Sequence, residues 1–459
     1  MKNTKFFGCD LDMMPRLYDA YLNNRQVVTE SGKAGPGTMF FALRGSRFDG
    51  NDFVDVVLAQ GCRAVVTSDI RRRDTPGCLW VADTLCALQA LAAWHRQRIG
   101  VPVVGITGSN GKTTTKELVC AVLRTGFGVH ATAGNFNNHI GVPLTLLAMP
   151  EDAGIAVVEM GANHAGEIAE LCRIVQPTHG IVTNVSAAHI GEYGSLETIY
   201  RTKRALYASV AARKGVVFAW AGHPLVMKMI SHLPVRKVLY SVGEPFVRSS
   251  RGRRLAIRYA CTAEVVSEEP YLTVNLSDAE GRTVSCAAHL IGAYNAPNLA
   301  AAACVGLHFG LELRQIAEGI SAYVPANNRS QLLRTGRNLL WVDCYNANPT
   351  SMALSVKSFL HRSESGKMLI LGDMGELGAL CDAEHRKVLA DIPPQDGLEI
   401  WTAGAAFAAA AAASGRTDVH AFASTEELQA YLRRNLPEGR FILLKGSHSM
   451  RLDSLVGDL

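Results

Sequence analysis

Residues 107–114 read TGSNGKTT, which places a lysine, two glycines and four hydroxyl side chains in eight consecutive positions. That set of groups suits a polyphosphate. Gly108 and Gly111 allow the backbone to turn tightly and to lie close to a ligand. Successive N–H groups in such a loop point inward, a following helix adds a partial positive charge at its N-terminus, and Lys112 adds a full one. The Thr113 hydroxyl, at the first helical turn, is placed to ligate a magnesium ion that bridges phosphates. The strict spacing G-x-x-x-x-G-K-[ST] asks for glycine at position 106, where the chain has Ile106, so the loop is a variant of that pattern. The alternative is a glycine-rich turn carrying a solvated lysine. The strand before the loop and Thr113, Thr114 and Thr115 after it favour phosphate.

Other polar residues fall at positions where they could join this chemistry. Glu159 ends the apolar run IAVVE, and ligands of open parallel sheets sit at the carboxyl ends of strands, so its carboxylate is expected to face the phosphates and hold magnesium. His189 lies in the turn after the next strand, where it either reaches the same crevice or is a structural histidine. Asn135, Asn137 and Asn138 cluster ahead of Gly141 and Pro143; such asparagines stabilise turns, and here they also flank the phosphate loop. Lys203, between Arg201 and Arg204 on a predicted helix, reads from spacing alone as part of a solvated basic face.

These residues must be positioned by the elements around them. Val101, Val103, Val104 and Ile106 form a β-branched run that breaks into the glycine loop, and a helix is expected from Thr113. Residues 99–325 then repeat strand and helix, predicting a mainly parallel sheet covered on both faces. Its elements are GIAVVEMG, HAGEIAELCRIV, THGIVTNV and ETIYRTKRALYASV. Residues 215–288 change to short strands with turns and read as an antiparallel insertion. YNAPNLAAAACVGLHFG closes the region as an asparagine-capped buried helix.

Residues 1–98 read as a small α/β unit, with strands GTMFFALRG and CRAVVTSD, a helix in NDFVDVVLAQG between them and a second helix, TLCALQALAAWHRQRIG. Residues 326–459 alternate strands LLWVDCY, KMLILGD, LEIWTAG and FILLKGS with helices, which predicts a Rossmann-like sheet. The fold class is therefore α/β, with three domains at 1–98, 99–325 and 326–459.

The 459 residues are 48% hydrophobic and 19% charged, as in globular proteins with large cores, and the net charge of +5 carries no nucleic-acid signature. No apolar run approaches the roughly 18 residues that span a bilayer; the run AAFAAAAAA at 405–413 reads as a helix packed on a sheet. Eleven cysteines without a C-x-x-C pair, and a beginning without an apolar core of signal length, fit a reduced cytoplasmic setting with no membrane insertion.

The motifs TGSNGKTTTK, GNFNNHIGVPLTLL, VVEMGANHAGEI, TNVSAAHIGEYGS, GAYNAPNLAAAA, NNRSQLL, WVDCYNANPTSM, LGDMGELG with His385 after it, and LLKGSHSM occur in an order that resembles the Mur ligases of bacterial cell-wall synthesis. The resemblance covers essentially the whole chain. YNANP at 345–349 and GDMGELG at 372–378 are most similar to the branch that adds D-alanyl-D-alanine to UDP-N-acetylmuramoyl-tripeptide, and residues 27–53 resemble the part of such enzymes that binds the UDP end of the nucleotide.

What the resemblance implies is ATP-driven, magnesium-dependent amide bond formation through an acyl phosphate by a monomeric enzyme. It implies an ATP site built from Thr107, Gly108, Ser109, Asn110, Gly111, Lys112, Thr113 and Thr114, joined by Asn295 at the adenine, Asp343 at the ribose and Arg329 at the γ-phosphate. Thr113, Glu159, His189 and Lys203 would be the metal residues, Lys203 as a carbamate, which reverses its solvated reading. Lys112, Lys203, His189 and Arg329 would be catalytic, and Ser31, Asn135, Asn138 and Asn346 would contact the substrates. Since Arg329 and Asp343 come from the C-terminal side, closure over ATP is expected.

Two further readings stand beside this one. One is a neighbouring amide ligase, either the meso-diaminopimelate- or lysine-adding Mur enzyme or a folylpolyglutamate synthetase; the other is a phosphate-loop switch that binds ATP without making amide bonds. The first of these would carry a D-N-P-R-type motif or lack a unit like 1–98, and the second would hydrolyse ATP without an acceptor.

Overall fold

The computed structural model describes residues 5–188, 190–243, 246–248, 254–256, 259–326 and 328–459. Its strands form three main sheets. The first joins Gln26–Val28, Thr38–Phe41, Ala64–Thr67 and Cys78–Trp80, all parallel, with the long helix Thr84–Ile99 leading out of it. Asp83 caps that helix by accepting from Cys86 N, and Gly100 ends it in the left-handed region at φ 71°. The helix packs on Gly141–Leu147 and Glu167–Val175 of the next unit.

The central sheet has nine strands, and Val103–Thr107 lies inside it between Ile155–Glu159 and His179–Val182. All three are parallel, with Ile106 opposite Glu159 and Thr107 opposite Val182, so their carboxyl ends open side by side. Alternation along the strands explains two separate cores. Ala156 and Val158 face one, built with the helices Glu167–Val175 and Leu196–Ala212; Ile155 and Val157 face the other, built with Lys112–Leu123, Ala296–His308 and Leu313–Ala322.

Residues 215–288 depart from the expected antiparallel insertion. Val216–Trp220, Arg236–Val242 and Cys261–Ser267 extend the central sheet in parallel; Thr273–Asp278 and Thr283–Ala287 run antiparallel at its edge, and Phe246–Arg248 pairs antiparallel with Arg254–Ala256 in a separate two-stranded sheet. The crossover between the first two holds only the seven-residue helix Pro224–Ile230, too short to show a helical period in the sequence.

The last sheet has the order Gln331–Arg334, Leu339–Val342, Phe441–Lys445, Lys367–Gly372, Glu399–Ala403, Val419–Phe422; only its first pair is antiparallel. The alanine-rich helix Ala405–Ser414 packs beside Glu399–Ala403 and Val419–Phe422, burying Phe407, Ala410 and Ala411. All eleven cysteines are free thiols, and among the described residues no helix is long and apolar enough to cross a membrane.

Candidate functional site

The loop after Val103–Thr107 is held by the strand beside it. Ser109 N donates to Asn184 O (3.1 Å), and the Ser109 hydroxyl both donates to Ser186 O (3.0 Å) and accepts from Ser186 N (2.9 Å). Asn110 N donates to Asn184 Oδ1 (3.0 Å), Asn110 Nδ2 to Ser186 Oγ (3.0 Å), and Asn110 O accepts from Thr183 Oγ1 (2.6 Å) and Asn184 Nδ2 (3.0 Å). Glycine is required at two points. A Cβ on Gly108 would lie 1.8 Å from Thr183 Oγ1, and Gly111 sits at φ 74° where a Cβ would meet Asn298 Oδ1 at 2.9 Å. The helix begins at Lys112, one residue before the predicted start, with no side chain capping it, so its first N–H groups face the loop's mouth.

Lys112 is half-buried rather than solvated. Its Nζ donates to Gly108 O (3.0 Å) and Ser109 O (3.2 Å), which leaves one of three N–H bonds for a ligand. Burial pulls its pKa down, opposed by the Glu159 carboxylate. Glu159 is 2% exposed, with Oε1 accepting from Asn137 Nδ2 (2.8 Å) and Oε2 lacking a hydrogen-bond partner among the described residues. A buried carboxylate oxygen without a partner is costly unless a cation completes it, and Thr113, which lines the same cavity, carries a second oxygen of the kind that a hard divalent ion takes.

A cavity of about 990 Å³ runs from this loop between the central and C-terminal sheets. Ser109, Asn110, Gly111, Lys112, Thr113 and Thr114 line it, while Thr107 and Gly108 do not. Arg329 enters from the far side with its guanidinium 3.7 Å from the centre of the Tyr345 ring. Asn328 and Ser330, on either side of it, are held at φ 58° and 46°, a costly conformation for residues with a side chain. Asp343 also lines the cavity; its carboxylate accepts from Lys445 Nζ (2.8 Å), Ser355 Oγ (2.9 Å) and Ser330 N (3.2 Å).

Asn295 lines the cavity and precedes the helix Ala296–His308, but it does not cap it. Its Nδ2 donates back to Ile291 O (2.8 Å) and its Oδ1 accepts from Asn298 Nδ2 (2.9 Å), while Asn298 Oδ1 takes the Thr115 hydroxyl (3.1 Å). The helix is thereby tied to Lys112–Leu123, the helix that follows the phosphate loop.

Lys203 contradicts the solvated reading. It is 3% exposed and shares the inner face of Leu196–Ala212 with Ile199, Leu206, Tyr207 and Val210, whereas Arg201 is exposed. It makes no hydrogen bond among the described residues, and burial, with the nearby Lys112 charge, pulls its pKa down to about 7. It does not itself line the cavity. His189 lies outside the described residues.

The substrate candidates are scattered. Asn138 lines the cavity, its Oδ1 accepting from Ile140 N (3.1 Å) and Gly141 N (2.8 Å) just ahead of Gly141–Leu147, and Asn346 lines it at the opposite wall. Asn135 is exposed and does not line it; Asn137, two residues on, is the asparagine that reaches Glu159. Ser31 sits in a short 3₁₀ turn of the N-terminal unit, away from the cavity lining. Sequence reasoning missed Thr183, Asn184, Ser186, Asn348 and Lys445. The only local signals were a polar cluster directly after an apolar strand and a lysine closing the all-apolar run FILLK.

A family model described as Mur ligase middle domain matches residues 106–306, and one described as Mur ligase, glutamate ligase domain, matches residues 328–448. The chain is 34% identical over 455 residues to the UDP-N-acetylmuramoyl-tripeptide--D-alanyl-D-alanine ligase of Bacillus subtilis (strain 168), covering 94% of this chain and 92% of that one. It is 33% identical over 434 residues to the protein of the same name in Escherichia coli (strain K12), again covering 94% and 92%. The crystal structure of MurF from Acinetobacter baumannii superposes with a TM-score of 0.83 at 29% identity, covering 97% of this chain and 98% of that one. The Thermotoga maritima MurF ligase in complex with ADP, at 23% identity and a TM-score of 0.82 over 95% and 97% of the two chains, shares the fold.

Proposed function

The chain belongs to the Mur ligase family, and from that premise we propose that it joins D-alanyl-D-alanine to UDP-N-acetylmuramoyl-tripeptide at the expense of ATP, a step of peptidoglycan precursor synthesis in the cytoplasm. The observation that carries the reading is one cavity on which Lys112, Glu159 and Arg329 converge from two units of the chain.

A carboxylate does not condense with an amine at neutral pH. The tripeptide's terminal carboxylate oxygen therefore attacks the γ-phosphorus, ADP leaves, and an acyl phosphate forms. The amine of D-alanyl-D-alanine then adds to the acyl carbon, loses a proton, and the tetrahedral adduct expels inorganic phosphate. The first step brings two anions together, so its barrier is electrostatic. The remaining Lys112 side-chain N–H and the uncapped backbone N–H groups of Gly111, Lys112 and Thr113 at the helix start hold the β- and γ-phosphates. Arg329 offers its guanidinium from the opposite wall, with the Tyr345 ring fixing its plane. Asp343, oriented by Lys445, is directed to the ribose hydroxyls, and Asn295 to the adenine.

Glu159 Oε2 and the Thr113 hydroxyl would hold magnesium, which would supply positive charge to the phosphate oxygens. Lys203 is suited to carbamate formation. Its depressed pKa leaves a neutral amine that adds to the carbon of CO₂ and releases a proton, turning a buried cation into an anion able to join His189 at a second metal. Ser31, Asn135, Asn138 and Asn346 are proposed contacts of the two substrates, with residues 1–98 as the nucleotide-peptide unit, 99–325 as the ATP unit and 326–459 as the closing unit of a monomer.

The test is phosphate release by the purified protein with ATP, UDP-N-acetylmuramoyl-tripeptide and D-alanyl-D-alanine, each omitted in turn. A ligase releases phosphate in quantity only when all three are present. Steady hydrolysis without the acceptor amine would instead identify a nucleotide switch.

A further inference from the structure

One side chain of the C-terminal unit reaches into the phosphate loop. Asn348 Nδ2 donates to Asn110 Oδ1 at 2.6 Å, joining positions 238 residues apart. Asn348 also caps the helix Pro349–His361, its Oδ1 accepting from Ser351 N (3.0 Å). That bond fixes which end of the carboxamide faces the loop, so the end presented to Asn110 must be the donor. Asn110 is fixed just as firmly by Ser186 and Asn184. Asn348 is 7% exposed, so the bond forms largely out of water between two side chains already ordered by other contacts.

We propose that Asn348 is a positioning residue that couples the phosphate loop to the C-terminal unit, so that gripping the nucleotide and presenting Arg329 become one event. This rests on the ligase reading. Lys112 is two residues beyond Asn110, and Tyr345, under Arg329, is three residues before Asn348. The Asn110–Asn348 bond therefore sets the distance between the lysine that holds the phosphates and the arginine that meets the transferred group. Phosphoryl transfer is sensitive to such placement. Other hydrogen bonds also cross between the two units, among them Tyr294 to Ser330 (3.1 Å between hydroxyls), Gly191 N to Glu376 O (3.1 Å), and Arg362 and Ser363 to residues 268–270, but among the described residues none of these includes a residue of the phosphate loop.

The test is Asn348→Ser. Serine is a good N-cap and keeps the helix, but its side chain is too short to reach Asn110. The expected result is an unchanged unfolding midpoint and a fall of about tenfold both in kcat/KM for ATP and in affinity for a non-hydrolysable ATP analogue measured by calorimetry. In an Asn110→Ala background the same substitution should then change neither quantity further. The proposal is overturned if Asn348→Ser leaves both quantities unchanged, if it lowers the unfolding midpoint in step with activity, or if the tenfold loss recurs in the Asn110→Ala background. Ligation by the unsubstituted enzyme in the same assay tests the ligase reading separately, because analogue affinity decides the coupling even if no amide product forms.

Discussion

Lys203 gives the sharpest quantitative prediction. An ordinary lysine, with a pKa near 10.5, is neutral in roughly one molecule in three thousand at pH 7; at a pKa of about 7 the neutral fraction is about one half. Only the neutral amine reacts with CO₂, so burial raises the reactive population more than a thousandfold over a surface lysine. Between pH 7 and pH 6 that fraction should drop about fivefold, because the amine protonates as pH falls through its folded pKa. The assay is ¹³C NMR of enzyme equilibrated with ¹³C-bicarbonate, with the ligation rate followed as CO₂ is stripped. We expect one carbamate resonance absent from Lys203→Ala, a loss of about 10²–10³-fold in kcat for that variant, and partial recovery with added formate or acetate. An enzyme that carries no ¹³C label at Lys203 and keeps its full rate after CO₂ removal would refute the reasoning.

Other expectations follow from the same geometry. Lys112→Ala should lower kcat by about 10²–10³-fold while leaving the unfolding midpoint near the original, since its two hydrogen-bond partners are loop carbonyls that water can satisfy; paired kinetics and calorimetry check this. Glu159→Gln should raise the magnesium concentration for half-maximal activity at least tenfold, read from a metal titration, because it replaces the unpartnered carboxylate oxygen. Gly108→Ala should abolish nucleotide binding, measured with a fluorescent ATP analogue, because its Cβ would overlap Thr183 Oγ1. Burial and the neighbouring His308 and Arg236 pull His179 down to about 4, so the unfolded chain binds its proton more readily than the folded one. The neutral histidine's contribution is complete above about pH 6.5 and is lost as pH falls below that value, amounting to about 2 kcal/mol between pH 7 and pH 5. Urea unfolding across that range should show a slope that is reduced in His179→Gln.

The phosphate loop was legible because all of its signals are local: a β-branched strand, two glycines and a helix start fall within twenty residues. Glu159 was legible because an apolar strand rarely ends in a carboxylate without a use for it. The partners that brace the site were not, because pairing between Asn110 and Asn348, or between Asp343 and Lys445, leaves no mark at either position. Asn137 was indistinguishable from Asn135 and Asn138, since asparagine in a turn satisfies the backbone and a ligand equally well. Lys203 was hidden by its neighbours. The spacing of Ile199, Lys203, Leu206 and Val210 places it on the inner face of its helix, but Arg201 and Arg204 made the segment look wholly basic. Residues 215–288 misled because a seven-residue helix cannot display a period, so parallel strands joined by it looked like a meander.

The seven hydrogen bonds that fasten Ser109 and Asn110 to residues 183–186 have a consequence for inhibition. The loop's ordering entropy is spent when the chain folds, not when a nucleotide arrives. A compound that matches the existing contour spends none of its contact energy on ordering the loop. One that must prise the loop away from the neighbouring strand works against the cohesion of the sheet itself.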